Sequence, residues 1–131
     1  MKTKEEIKDI IITWASSLPY KNRIHLYGSY VKGKKNPSDI DLAVELFDDP
    51  LLDEPQIRWQ DNYENWQKYL SEKFGMKAHL ELNSNDSKYI HQSLKEASLL
   101  LYDSSETEDK KGNDKAQMKN LTDDSSQKIK N

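Results

Sequence analysis

The sequence predicts an α+β domain, a small mixed β-sheet flanked by helices. Three observations carry this. Segments of helical and strand periodicity alternate along the chain. Glycine and proline separate them at the points where turns are needed. The 131 residues are enough for one modest core and little more. The helices are expected on one side of the sheet, with carboxylates along its open edge.

The first segment, residues 4–18, places Ile7, Ile10, Ile11, Trp14 and Leu18 at helical spacing. Thr3 stands before it and Glu6 three residues on, the capping-box pattern, and Pro19 ends it. Residues 23–27 alternate as a strand does, with Ile24 and Leu26 on one face and His25 and Tyr27 on the other. Gly28 closes that strand. A short basic segment bounded by Gly33 and Pro37 leads to a second strand, residues 39–46. Ile40, Leu42 and Val44 share one face of it, and Asp39, Asp41 and Ala43 the other. An acidic loop with two prolines follows. Then Trp59, Tyr63, Trp66, Leu70 and Phe74 mark one stripe of a long helix, with Gly75 as its C-terminal cap. Residues 77–82 form a third strand, with Leu80 and Leu82 set against His79 and Glu81. Asp86 is expected to cap a last helix with Tyr89, Ile90 and Leu94 inward. Residues 98–102 are a final apolar piece, strand or helix end. The domain therefore spans residues 1–102. Residues 103–131 form a polar tail too poor in apolar side chains to offset its ordering entropy, and it reads as disordered.

Composition narrows the function. The net charge of -3 supplies no global attraction for nucleic acid, although a local patch or a nucleic-acid acceptor stays open. The absence of cysteine excludes disulfides and thiolate metal sites. No secretory signal pattern and no membrane-length apolar run is present, so a soluble, cytoplasmic protein is the expectation.

The chemistry concentrates at two places. Asp39 and Asp41, two apart on a strand, point the same way about 6.6 Å apart. Like charges held so close are costly unless a cation or water intervenes. A hard divalent cation such as Mg²⁺ takes carboxylate oxygens and shares them with substrate phosphates. Alone, Asp-x-Asp also reads as a solvated strand face. Gly28-Ser29, at the end of the preceding strand, offers close backbone approach, N–H groups and a hydroxyl to a phosphate. Alone it reads as a turn. Together the two elements present phosphate donors and metal ligands to one spot.

Two other readings of these residues fail. Residues 28–34 fit the first seven places of a phosphate-binding P-loop, but the eighth is Lys35 rather than Ser or Thr. Asn36-Pro37 also stands where a helix should open. An EF-hand would need Asn or Asp at position 43 and Gly at 44, which are Ala43 and Val44.

The stretch HLYGSYVKGKKNPSDIDLAV, residues 25–44, resembles the core motif of the polymerase-β-like nucleotidyltransferase superfamily. It is most similar to the minimal nucleotidyltransferase branch, which includes antitoxin partners of HEPN toxins. The resemblance implies that fold and a reaction: metal-dependent transfer of a nucleotide, AMP from ATP, to a hydroxyl, with pyrophosphate released. It implies that Gly28 and Ser29 bind the phosphates of the nucleotide; Lys32, beside them, offers charge to the same nucleotide site, and Tyr30, next to Ser29, stands where it could touch nucleotide or a partner. It also implies that Asp39 and Asp41 hold two Mg²⁺ ions, with a third carboxylate from a later strand, for which Glu81 is the candidate. The family's third acid is often Asp, and many relatives carry Arg where Lys32 stands; lysine supplies charge but no bidentate fork. A HEPN-type toxin is the implied protein partner and acceptor. The competing readings are a non-catalytic interaction module of the same fold and a small-molecule, antibiotic-type nucleotidyltransferase.

The remaining candidates read as structure. Trp59, Tyr63 and Trp66 fit core better than a base-stacking surface. His25, His79 and His91 lack metal-ligand spacing. Lys34 and Lys35 read equally as steering charges and as a solvated loop, and the acidic loop reads as a solvated insertion.

Overall fold

The Thr3 hydroxyl accepts the Glu6 N–H at 3.1 Å, and the Glu6 carboxylate accepts the Thr3 N–H at 2.8 Å. This capping box satisfies donors that the start of a helix leaves open. Helix α1 then runs Lys4–Ser17. The computed structural model describes residues 2–33 and 37–104. The expectations for Lys34, Lys35 and the polar tail from residue 105 onward fall outside the described residues.

Four strands form one mixed sheet in the order β3-β2-β1-β4. Strand β1 (Asn22–Tyr27) pairs antiparallel with β2 (Asp39–Leu46), which sets Tyr27 opposite Asp41. A single 3-10 turn, Gly28–Tyr30, leaves the end of β1. Helix α2, Pro55–Phe74, opens on a proline and ends at Gly75, whose φ of 72° only glycine adopts without strain. It carries the chain across to β3 (Lys77–Leu82), parallel to β2, as a parallel pair requires. Strand β4 is the piece the sequence left as strand or helix end. It runs Ser98–Asp103 along the other side of β1, one residue past the expected domain end. Arg23 ties three strands together through Glu45 at 2.9 Å and Asp103 at 2.8 Å.

The sheet has two unlike faces. Ile24, Leu26, Ile40, Leu42, Val44, Ala78 and Leu80 pack against Ile7, Ile11 and Trp14 of α1 and Trp66, Leu70 and Phe74 of α2. Trp66 meets Trp14 edge-on at 5.7 Å and Trp59 at 6.2 Å, so the aromatic stripe of α2 is largely core. The expectation of helices on one side holds for α1 and α2 only. Helix α3 (Lys88–Glu96) lies on the opposite face, where Ile90 and Leu94 cover Tyr27 and Ala43. The start of α3 also differs from expectation. Ser87, rather than Asp86, takes the cap position, and its hydroxyl donates to the Leu82 carbonyl at 3.0 Å. Tyr89, expected inward beside Ile90, is 77% exposed. One residue turns a helix by about 100°, so Ile90 and Tyr89 cannot both face the sheet squarely. Among the described residues, no helix is long and apolar enough to cross a membrane.

His25 gives the fold a pH dependence. Burial, followed by the Arg23 cation, holds its imidazole below the ordinary value of 6.5. The unfolded chain therefore takes up a proton that the native state refuses, and stability falls as pH drops below the unfolded value. The urea midpoint is expected to fall between about pH 7.5 and about pH 5.5. His25→Gln, measured the same way, should fall less.

Candidate active site

The site lies on the α3 face of the sheet. The strand pleat that buries Ile40, Leu42 and Val44 turns Asp39, Asp41 and Ala43 to this side. The register brings the Gly28 turn beside Asp41, because Tyr27 pairs with it directly. Gly28 has φ 79°, and a Cβ on it would stand 2.4 Å from Asp41 Oδ2. Glycine is thus required twice, by the backbone angle and by the carboxylate filling the space a side chain would need.

A cavity of about 350 Å³ opens at this point. Gly28, Ser29 and Lys32 line it from the turn, and Asp41 and Glu81 from the sheet. Five of the residues singled out in the sequence are therefore brought together. Asp39 and Tyr30 are not on the cavity wall. Asp39 lies one pleat back along β2, opposite Lys77. The Tyr30 ring packs against the main core, and its hydroxyl donates to the Lys2 carbonyl, so it fastens the turn to the start of α1.

Glu81 faces the cavity but does not stand next to Asp41. The residue in register with Asp41 is His79, and Glu81 is in register with Ala43. The imidazole spans the two acids, with Nδ1 3.2 Å from Asp41 Oδ1 and Nε2 3.1 Å from Glu81 Oε1. Among the described residues, no three His, Asp or Glu side chains converge as a metal site. Sequence reasoning passed over His79 for want of metal-ligand spacing. The available signal was its place two residues before Glu81 on the same strand face.

At the turn, Lys32 Nζ reaches Glu96 of α3 at 3.1 Å, both side chains being half exposed. That hydrogen bond, and a second from Gln92, hold the Glu96 carboxyl below its ordinary range. At Tyr27, which directly precedes Gly28 and pairs with Asp41, burial and then the charges of Asp41 and Glu81 push the phenol well above its usual value, so it stays protonated. A larger groove of about 1050 Å³ adjoins the cavity. Trp59 and Tyr63, stacked at 5.5 Å, line it, and it shares Glu81 with the smaller cavity.

The site thus sets a Gly-Ser turn against an Asp-x-Asp strand, on a mixed four-stranded sheet with helices on both faces. The family described as "Polymerase beta, Nucleotidyltransferase" matches residues 6–107, and the chain belongs to that family of nucleotidyltransferases. Solved structures share the fold. One is a Shewanella oneidensis complex of a tri-AMPylated HEPN toxin with MNT antitoxin, at 21% identity and TM-score 0.55, covering 88% of this chain and 86% of that chain. Another is a toxin–antitoxin with AMP-PNP, at 24% identity and TM-score 0.54, covering 86% and 85%. A third is the toxin–antitoxin MntA–HepT, at 20% identity and TM-score 0.52, covering 88% and 86%. No curated protein matches the sequence.

Proposed function

We propose that this chain transfers AMP from ATP to a hydroxyl on a HEPN-type partner protein, acting as the antitoxin of a toxin–antitoxin pair. The observation that carries the reading is the closure of Gly28 onto Asp41, which joins a phosphate-binding turn to an acidic strand within one nucleotide-sized cavity. The structure described as a HEPN toxin in complex with MNT antitoxin supports the partner class, and its tri-AMPylated toxin supports the transferred group. A soluble, cytoplasmic setting fits such a pair.

The residues present fit a divalent cation that arrives with the triphosphate. Asp41 offers a hard oxygen donor at the cavity wall, Asp39 would supply a second from the same strand face by turning toward the cavity, and phosphate oxygens would complete the shell. Glu81 is separated from Asp41 by His79 in this geometry, so its part in holding metal needs movement of the imidazole. When bound, Mg²⁺ neutralises phosphate charge and lowers the pKa of the attacking hydroxyl.

The chain's own groups divide the remaining work. The first N–H groups of a helical turn lack backbone acceptors, so Gly28 and Ser29 can donate them, with the Ser29 hydroxyl, to phosphate oxygens. Lys32 leaves Glu96 to meet the β- and γ-phosphates. The acceptor oxygen bonds to the α-phosphorus as the bond to the β-phosphate oxygen breaks. Pyrophosphate carries away the electron pair. Glu81, at the junction of the cavity and the larger groove, receives the acceptor's proton. That groove is the side from which a protein hydroxyl can approach. Little covalent chemistry falls to the enzyme, and positioning and charge supply most of the acceleration.

The test is intact-mass spectrometry of a purified HEPN-type partner after incubation with this protein, ATP and Mg²⁺. A gain of one or more adenylyl groups supports the reading. Stable binding of the partner with no mass gain would instead favour a non-catalytic interaction module.

A further inference from the structure

Apart from Glu96, which holds Lys32, the outward stripe of α3 has no role in the chemistry above. Ile90 and Leu94 fix the helix to the sheet over Tyr27 and Ala43. That anchoring turns the positions at i, i+3, i+4 and i+7, Tyr89, Gln92, Ser93 and Glu96, onto the wall of the small cavity. Two of them face opposite ends. Glu96 holds Lys32 beside the Gly-Ser turn, while Tyr89 lies seven residues earlier, about 10.5 Å along the helix axis at 1.5 Å per residue. An extended nucleotide spans about that distance from its outer phosphates to its base.

Tyr89 itself is unusual. It is 77% exposed, stands at the cavity wall, and stacks on no other aromatic ring among the described residues. An aromatic ring gains most from covering another flat surface, and a nucleobase offers one whatever its sequence identity. Burying the Tyr89 ring in the core is closed to it, because Ile90 already fills the inward position.

We propose that the outward face of α3 is the nucleoside-binding wall, with Tyr89 stacking on the base of the bound nucleotide and the Ser93 hydroxyl within its reach for the sugar. The proposal rests on the nucleotidyl-transfer reading of the cavity. Tyr89 then holds the nucleoside while Gly28, Ser29 and Lys32 hold the phosphates, so the α-phosphorus is suspended above Asp41.

Calorimetric titration with Mg-ATP and, separately, with inorganic tripolyphosphate tests it on wild type, Tyr89→Ala and Tyr89→Phe. Tyr89→Ala should weaken ATP binding about tenfold or more, as loss of a base-stacking ring does. Tyr89→Phe should retain ATP affinity, and all three proteins should bind tripolyphosphate alike. Unchanged ATP affinity in Tyr89→Ala would overturn the nucleoside wall while leaving the phosphate site standing. Equal loss of both ligands would also overturn it, since Tyr89 would then act through the phosphate end. Failure of wild type to bind either ligand would remove the nucleotidyl-transfer reading together with this one. The substitution is at an exposed position, so a thermal midpoint within a few degrees of wild type is expected.

Discussion

Asp41→Asn is expected to lower nucleotidyl transfer at least about 10³-fold while leaving the protein folded. A bound metal supplies several kcal/mol of charge stabilisation in the transition state, and each 1.36 kcal/mol is about tenfold in rate. Asparagine keeps the shape of the side chain but removes the anionic oxygen that would seat the cation in the proposed reaction. The structure explains why Asp41 should matter most. Its side chain is only 19% exposed, it fills the space over Gly28, and it alone of the β2 acids named above both lines the cavity and contacts His79. Stability should change little, because asparagine keeps the shape of the side chain and an oxygen that can still meet the partly exposed His79 ring. Transfer of α-labelled ATP and a circular-dichroism melt measure the two effects. Retention of more than about a tenth of wild-type activity would remove Asp41 from the chemistry.

Gly28→Ala is the second large effect, and it acts on both stability and activity. At φ 79° an alanine pays the left-handed strain of about 1–2 kcal/mol. Its Cβ would also lie 2.4 Å from Asp41 Oδ2 and 3.2 Å from Asp41 Cγ, so the carboxylate must move. A displacement of about 1 Å at a reacting centre costs about 10²-fold in rate. Gly33 supplies the control. Its φ is 78°, yet among the described residues nothing lies within 4 Å of the Cβ position. Gly33→Ala should therefore show a similar backbone cost in urea denaturation and keep transfer within about twofold of wild type. If the two variants lose activity equally, the Gly28–Asp41 contact is not what glycine is there to permit.

Local features of the fold were legible because they are written in short-range pattern. Thr3 and Glu6 announced the start of α1, Gly75 the end of α2, and the alternation of Ile40, Leu42 and Val44 against Asp39 and Asp41 announced the two faces of β2. The pairing of the Gly-Ser turn with the Asp-x-Asp strand was legible for the same reason, since only a short connection separates them. What depends on strand order was not. The parallel register of β3 on β2, made by a crossover of twenty helical residues, decides that His79 rather than Glu81 stands beside Asp41. No local periodicity encodes a register across a crossover. The outward turn of Tyr89 was missed on similar grounds. Tyr89 and Ile90 are both plausible inward residues until the sheet face they meet is known, and among the described residues the buried hydrophobics that Ile90 meets there are Tyr27 and Ala43.

The resulting site has a clear division of labour. On the proposed reading, the turn after β1 faces the phosphates, β2 supplies the acidic floor, and β3 leads from that floor to the groove where a protein acceptor would enter. The turn and the acidic strand were readable from the sequence motif; that Glu81 joins the smaller cavity to the larger groove was not.

The central claim is that the α-phosphorus of an NTP is transferred and pyrophosphate leaves. The most direct measurement is a pair of parallel reactions with the partner protein, one with ATP labelled at the α-phosphate and one with ATP labelled at the γ-phosphate. Label on the partner from α-labelled ATP alone, with labelled pyrophosphate released from the γ-labelled reaction, is the predicted result. Label on the partner from the γ-phosphate would mean phosphoryl transfer and would contradict the account.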